Sequence, residues 1–348
     1  AWDHTDFSKL LVYNGPFLLA AMNPDSIELR RNPRYFREGL PYLDRVFFRT
    51  IPDTPSLLVQ LQAGEVDVME NVPPGEVRRL EASARHRIVR FPDRYYGYIG
   101  WNTARAPLDR PAVRRALTMA IDRQAIVEGL LWGAARIAVS PILSLFWIHD
   151  QGLQPHPFDP KAAAGLLARE GWLDRDGDGW ADRSGQPFRI GLLVNQGDPL
   201  REDIAVLVQD QLARIGVRVS IRTLEWGVFR QVREEGDFDG YVSAWLASTK
   251  VDLKNLLHSA AIGEGGYNYV RYANPEVDSL IDRARASRDF AAAIPLWRRV
   301  EGILHEEQPY TLLFERDRIN AISSRLRNVR MDTNSGFSNL EEWWIVQP

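Results

Sequence analysis

Strand-like patterns dominate the first hundred residues. Segments 16–19 and 26–29 flank the turn Asn23-Pro24-Asp25, and residues 43–51 alternate loosely between apolar and polar. Short apolar runs around such a turn predict a hairpin followed by a further strand. The remaining elements predicted here are a helix at 55–63 that ends at Gly64, a short strand at 66–69, a helix after Pro73-Pro74 and a long aromatic strand at 87–102.

Helical spacing begins after residue 108. We expect Asp109 to cap a helix that has Pro111 in its first turn, because aspartate accepts backbone N–H groups and proline suits the first helical position. Two further helices are predicted to begin at Asp122 and at Asp159-Pro160, ending at Gly133 and Gly171. The apolar positions that support the first helix are Val113, Ala116, Leu117, Ala120 and Ile121.

A β-α-β pattern follows over residues 190–221. An apolar run at 190–194 precedes a helical face at 204–215, which Gly216 ends, and alternation resumes at 217–221. This order predicts parallel strands joined by a right-handed crossover. Further elements extend the α/β pattern: helices at 228–235, after Asn274-Pro275 and at 290–306, and strands at 241–245 and 310–314.

Length and composition narrow the class of protein. With 348 residues, the chain exceeds what one compact core usually holds, so two lobes are expected. A net charge of -3 offers no basic patch, so no nucleic-acid partner is expected. The most apolar stretch, 125–148, is interrupted by Glu128, Arg136 and Pro141, and therefore predicts no membrane insertion.

Catalytic patterns are missing from the sequence. The histidines are scattered, and no two have metal-ligand spacing on a predicted helix. The chain also lacks a nucleophile-elbow serine, a phosphate-cradling Gly-Lys loop and a GxGxxG motif. The absence of cysteine excludes disulfides and thiolate metal sites. The sequence therefore indicates a binding protein and not an enzyme.

Several short motifs are spread over about the first 315 residues. In chain order they are Asn14-Gly15-Pro16-Phe17, Arg31-Asn32-Pro33-Arg34-Tyr35, Pro41-Tyr42-Leu43-Asp44, Gln60-Leu61-Gln62-Ala63-Gly64-Glu65-Val66-Asp67, Trp101-Asn102-Thr103, Pro107-Leu108, Val113-Arg114-Arg115-Ala116-Leu117, Ala120-Ile121-Asp122-Arg123 and Tyr272-Ala273-Asn274-Pro275-Glu276-Val277-Asp278. Together, and in this order, they resemble family 5 of the extracellular solute-binding proteins, the dipeptide/oligopeptide-binding type that serves ABC importers.

The resemblance implies an α/β, two-lobed periplasmic-binding-protein-like fold of the peptide-binding type. Family members carry a substantial segment before the Gly-Pro-Phe motif, which here begins at residue 15, so we expect the first lobe to be incomplete. Residues 1–102 and 313–348 are expected to form this partial lobe I. Residues 103–312 are expected to form a complete lobe II.

The same resemblance implies capture of a peptide or peptide-like solute between two lobes and delivery to the permease subunits of an ABC transporter. The protein would then be periplasmic or otherwise extracytoplasmic, either free or tethered to the membrane. Three alternatives stay open on the sequence: a ligand-sensing domain of a transcription regulator with the same fold, an enzyme on this scaffold, and a fragment that binds nothing.

Aromatic residues are the expected ligand contacts, because their large, stiff surfaces accept varied groups. The resemblance places Trp245 in the ligand cleft and the others near it, although packing roles would explain each position equally well. The further candidates are Trp226, Tyr95, Tyr96, Tyr267 and Asn268.

The position three residues after Trp245 distinguishes this chain from the family's peptide-binding members. They place an aspartate there, whose charge pairs with the peptide's free amino group, whereas this chain has Ser248. Serine offers a hydrogen bond but no charge to compensate a buried ammonium. Asp252 is the alternative if the loop is rebuilt. We expect that the usual peptide-amine anchor is not used.

An Asp/Gly run resembles the first half of a calcium loop. Its carboxylates lie at alternate positions, with a glycine at the sixth position, but Gly185 stands where a bidentate glutamate would lie. A solvated turn explains the same residues. A structural calcium is therefore one hypothesis, and no other cofactor is expected. The candidate ligands are Asp174, Asp176, Asp178 and Asp182.

Overall fold

The computed structural model describes residues 14–263 and 265–346, and the first thirteen residues of the predicted lobe I lie outside these ranges. Contacts divide the chain into two compact units. Unit 1 comprises the described residues of Ala1–Phe91 and Arg318–Pro348, and unit 2 comprises Pro92–Asp317.

Strands and helices are interspersed along the chain, as expected of an α/β protein. The strands are β1 (Phe17–Asn23), β2 (Ser26–Arg31), β3 (Arg45–Arg49), β4 (Val68–Met69), β5 (His86–Trp101), β6 (Ala135–Arg136), β7 (Asp182–Arg183), β8 (Gln186–Pro187), β9 (Arg189–Asn195), β10 (Arg218–Leu224), β11 (Gly240–Leu246), β12 (Tyr310–Ser323), β13 (Leu326–Arg327) and β14 (Trp344–Ile345). The helices are α1 (Thr54–Ala63), α2 (Val77–Glu81), α3 (Pro111–Met119), α4 (Arg123–Ala125), α5 (Pro160–Arg169), α6 (Pro199–Ala213), α7 (Trp226–Glu235), α8 (Lys254–Leu257), α9 (Pro275–Ala286) and α10 (Phe290–Glu307).

Unit 1 contains an antiparallel sheet in the order β1-β2-β3. Asn23 pairs with Ser26 across the predicted turn, which confirms the hairpin. Helix α1 ends, as expected, at Gly64, which adopts the left-handed φ of 79° that glycine tolerates. Strand β4 pairs with the final part of β12, at Met69 and Ala321.

Unit 2 is built on a mixed sheet whose strands follow the order β10-β9-β11-β5-β12. Strands β9 and β10 are parallel over their whole length, as the β-α-β pattern predicts. Helices cover both faces: α7, α9 and α10 pack on one apolar cluster, and α3, α5 and α6 on the other. This arrangement confirms the α/β class.

Two expectations about helix ends were wrong in detail. Asp109 does not cap α3, because the cap position belongs to Arg110, whose side chain makes no capping bond. The proline at the first helical position forces the residue directly before it into an extended conformation, and only that residue can be the cap. The helix that Asp122 caps is α-helical only to Ala125 and continues as a π-helical turn, Ile126–Leu130, so it stops before Gly133.

The boundaries of the two units fall inside β5 and β12, at 91/92 and 317/318. The sequence placed them at 102/103 and 312/313. Whether the units correspond to the two predicted lobes stays a prediction. Among the described residues, no helix combines the length and apolar character that crossing a membrane requires.

Candidate functional site

A pocket of about 340 Å³ lies in unit 2, where β11 ends and a loop leads to α8. Its volume falls at the lower end of the range for small-molecule sites, roughly 300–1,000 Å³. Five of the eight predicted ligand residues line it, although they come from three separate segments of the chain. These five are Tyr96, Trp245, Ser248, Asp252 and Tyr267.

Strand register explains the aromatic wall of this pocket. Trp245 on β11 lies directly opposite Tyr96 on β5, so both side chains project from the same face of the sheet. The Trp245 ring then contacts Tyr267, with ring centroids 5.5 Å apart and planes tilted by 54°. The three rings form an apolar surface of stiff side chains with polar tips.

Tyr96 forms the buried part of this wall, with 1% of its surface exposed. Burial, with a smaller contribution from neighbouring Tyr98, raises the pKa of Tyr96 well above its ordinary value. The phenol therefore stays neutral at physiological pH and adds no charge to the pocket.

Tyr95 does not line the pocket. Successive strand residues point to opposite faces, so Tyr95 faces away from Tyr96 and joins the other apolar cluster. Its ring stacks on Phe314 with centroids 6.5 Å apart, and the Arg316 guanidinium carbon lies 3.9 Å from the ring centroid. These contacts give Tyr95 a packing role within unit 2.

The loop after β11 places Ser248 and Asp252 at the pocket, with their hydrogen-bonding groups already engaged. The Ser248 hydroxyl donates to the Lys250 carbonyl oxygen at 2.5 Å. Asp252 accepts from the Lys254 backbone N–H at 2.9 Å and from Arg285 Nε at 2.8 Å. Asp252, the one carboxylate that lines the pocket among the described residues, is therefore compensated by an arginine of the protein itself.

Two further predicted residues, besides Tyr95, lie outside this pocket. Trp226 begins α7, has 48% of its surface exposed and stacks on Phe229 at a centroid distance of 5.8 Å. Asn268 is 2% exposed, and its amide donates to the carbonyls of His258 and Tyr272 and accepts from the Tyr272 N–H. Asn268 thus holds its own loop together, a role that sequence reasoning did not assign to it.

Sequence reasoning also missed part of the lining. Ile142, Phe146, Lys250 and Leu256 all border the pocket. Residues 141–146 lie within the most apolar stretch of the chain, 125–148, to which the sequence analysis assigned no site. The one available signal was an aromatic residue, Phe146, in a predicted loop. The meeting of this loop with residues 250–256 is a tertiary contact that periodicity does not encode.

The predicted calcium ligands are only partly brought together. Carboxylate oxygens of Asp174, Asp176 and Asp178 lie within 4.8 Å of one another on an exposed turn before the β7-β8 hairpin. The carboxylate of Asp182 instead accepts a hydrogen bond from Arg175 at 3.1 Å. Asp174 also accepts from backbone N–H groups within the turn, at Gly177 and Gly179. The arrangement fits the solvated-turn alternative as well as a cation site, so calcium binding stays a prediction.

Comparisons with known proteins agree with the fold. Residues 1–266 match the family described as bacterial extracellular solute-binding proteins, family 5 Middle. The oligopeptide-binding protein AppA of Bacillus subtilis is 35% identical over 344 residues, which cover 97% of this chain and 63% of that protein. Heme-binding protein A of Haemophilus influenzae is 27% identical over 304 residues, covering 86% of this chain and 53% of that protein.

A solved structure gives the same result in three dimensions. The structure of AppA from Bacillus subtilis in complex with a nonapeptide superposes with a TM-score of 0.77 and 35% identity, covering 96% of this chain and 66% of that one.

The dipeptide-binding protein of Escherichia coli is 27% identical over 86% of this chain and 55% of its own length. The chain therefore spans between about half and two thirds of the length of these relatives.

Proposed function

The chain belongs to the bacterial extracellular solute-binding proteins of family 5, and from this premise we propose that its unit 2 pocket binds a peptide or peptide-like solute. The observation that carries the proposal is the aromatic wall of Tyr96, Trp245 and Tyr267, in a chain 35% identical to an oligopeptide-binding protein. Family membership also confirms the prediction of a binding protein and not an enzyme.

Aromatic surfaces suit a ligand whose side chains vary. Rings contribute apolar contact area at a small cost in conformational entropy, and they accept aliphatic, aromatic and cationic groups. Ile142, Leu253 and Leu256 add apolar surface around the rings. We propose that these residues bind ligand side chains through apolar contact, so that shape decides affinity more than any single charged contact.

We further propose that the ligand is delivered to the permease subunits of an ABC transporter on the extracytoplasmic side. The family's description as extracellular solute-binding proteins supports this location. The relatives are named for oligopeptides, dipeptides and heme, so the family alone does not select the solute.

Substitution of Trp245 tests the pocket assignment. Trp245→Ala removes the central ring. It is expected to weaken the binding of synthetic peptides, about two to nine residues long, by about tenfold or more, since aromatic anchors contribute about 2 kcal/mol. Isothermal titration calorimetry gives the affinities. Trp226→Ala is the matched control, because Trp226 lies outside the pocket, and its affinity should stay within about twofold of the parent. Equal losses in both variants would place the ligand elsewhere.

Acetylation of the ligand tests the absence of an amine anchor. Asp252 is already paired with Arg285, and Ser248 carries no charge. We expect a free peptide and its N-acetylated form to bind with affinities within about threefold, because no buried charge pair is lost. Ser248→Ala should leave the affinity of the free peptide unchanged. A loss of about a hundredfold on acetylation, or loss of binding in Ser248→Ala, would show that the amine is anchored here after all.

A further inference from the structure

A second, larger pocket of about 640 Å³ lies next to the first in unit 2. It is bordered by the loop 146–148, the loop 249–251, the end of α9 and the first turns of α10. Phe146, Lys250 and Val251 line both pockets, so the loop after β11 borders the first pocket and the second. Neither the sequence pattern nor the proposed function assigns a ligand to this second pocket.

Positive charge converges on the second pocket. Its charged lining residues are Lys250, Arg285 and Arg288, and no carboxylate side chain lines it among the described residues. Arg285 is paired with Asp252, whereas Lys250 and Arg288 form no ion pair with any described residue. Cations gathered around one concave space without a carboxylate raise the local concentration of anions.

Asp252 and Asp289 belong to the flanking segments, but neither carboxylate lines this pocket. Asp252 is committed to Arg285, at an Nε to Oδ2 distance of 2.8 Å. Asp289 lies beside Arg288 in the chain, but it caps α10 by accepting the Ala291 N–H at 2.9 Å. The pocket therefore retains two cationic side chains, Lys250 and Arg288, that can donate charge-assisted hydrogen bonds to a ligand.

Aromatic side chains form the apolar part of the same pocket. Trp297 is buried, with 4% of its surface exposed, whereas Trp147 and Phe290 are 65% and 74% exposed. Each large exposed ring leaves apolar area in contact with water, and contact with a ligand would remove that area from water. Exposed apolar surface next to convergent polar groups is typical of a binding site and not of a solvated face.

We propose that this second pocket binds an organic anion that carries a flat apolar group, with its carboxylate or phosphate at Arg288 and Lys250 and its apolar part against Phe290 and Trp147. The site goes beyond the peptide pocket proposed above and does not depend on it. A planar guanidinium and a mobile ammonium are suited to carboxylate and phosphate oxygens alike. The aromatic rings favour anions with a hydrophobic part over inorganic phosphate, because phosphate would leave the rings in water.

A matched pair of ligands tests the charge. 1-Naphthylacetate and 1-naphthylacetamide have nearly the same shape, but only the first is anionic at neutral pH. Calorimetric or NMR titration at low salt should show the acetate binding at least about tenfold more tightly than the amide. Equal binding of the two compounds, or no binding of either at millimolar concentration, would overturn the proposal.

A matched pair of variants tests the position. Arg288→Gln removes a cation that lines the pocket, and should weaken naphthylacetate binding about tenfold. Arg283→Gln removes an exposed arginine of α9 that does not line it, and should change binding by less than about twofold. Equal effects of the two variants would show only a general attraction of anions to the surface.

The same titrations separate this proposal from the peptide site. Trp245→Ala should weaken peptide binding and leave naphthylacetate binding unchanged, because Trp245 lines only the first pocket. Phe290→Ala should weaken naphthylacetate binding and leave peptide binding unchanged. If peptides fail to bind but naphthylacetate binding depends on Arg288, the proposed function fails and the second site stands. Loss of naphthylacetate binding in Trp245→Ala would assign that ligand to the first pocket and overturn the second site.

Discussion

Tyr95 and Tyr96 show how one position along a strand changes what a side chain can do. The sequence made both residues candidates for ligand contact, and alternation along β5 allows only one of them to face the pocket. Tyr96 lies opposite Trp245 on the pocket side, and Tyr95 stacks against Phe314 and Arg316 on the other. The alternation along the strand alone predicts that Tyr95 and Tyr96 cannot both face the pocket. Which of the two faces it could not be predicted, because that depends on the register with β11.

A buried ion pair gives a prediction at the same scale. His149 Nδ1 and Glu301 Oε1 are 2.6 Å apart, with side chains 4% and 0% exposed. Burial acts to lower the pKa of His149, but the hydrogen bond and charge of Glu301 outweigh it, and the pKa is raised above the ordinary value. A raised pKa means that the folded state binds the proton more tightly. The stabilisation is therefore complete below the unfolded pKa and is lost as pH rises through the folded one.

We expect the free energy of unfolding of unit 2 to fall as pH rises above about 6.5, the ordinary histidine pKa, and we expect His149→Gln to reduce that fall. Chemical denaturation at a series of pH values measures the slope. Glu301→Gln should flatten the same slope, because it removes the charge that raises the pKa. If both variants lose unfolding free energy with pH as steeply as the parent protein, His149 and Glu301 are not the pair that binds this proton.

Helix beginnings were the elements most readily predicted from sequence. Asp159 and Asn274 each precede a proline and cap α5 and α9 by accepting backbone N–H groups, as their local chemistry predicts. The loop after β11 could not be predicted in this way. It is held by Arg94, which donates to the Ala247 carbonyl, and by the pairing of Asp252 with Arg285. Both partners are distant in the sequence, so no local pattern encodes the pocket they shape.

The acidic turn before the β7-β8 hairpin gives a prediction at the scale of the element. If Asp174, Asp176 and Asp178 hold calcium, millimolar calcium should stabilise the protein by about 1–3 kcal/mol, as for weak extracellular sites. Thermal unfolding with calcium and with magnesium measures this. Asp176→Ala should abolish the shift, and Asp182→Asn should preserve it, because the Asp182 carboxylate is engaged by Arg175. A melting temperature that calcium leaves unchanged would establish the solvated turn.

At the scale of the whole molecule, ordered motifs were enough to predict the family and the α/β class, and both are confirmed. The solute was not predictable, because relatives named for oligopeptides, dipeptides and heme share one framework. We propose that specificity resides in lining residues such as Phe146 and Lys250, which the framework motifs do not include. Capture of the ligand by two closing lobes stays a prediction.

The central claim is that peptide-like solutes bind at the end of β11. Hydrogen exchange measured by mass spectrometry, with and without a saturating mixture of synthetic peptides, tests this most directly. We predict slower exchange in residues 245–256 and 141–146, because these segments line the pocket and ligand contact would restrict their opening. Unchanged exchange in both segments at saturating peptide would contradict the account.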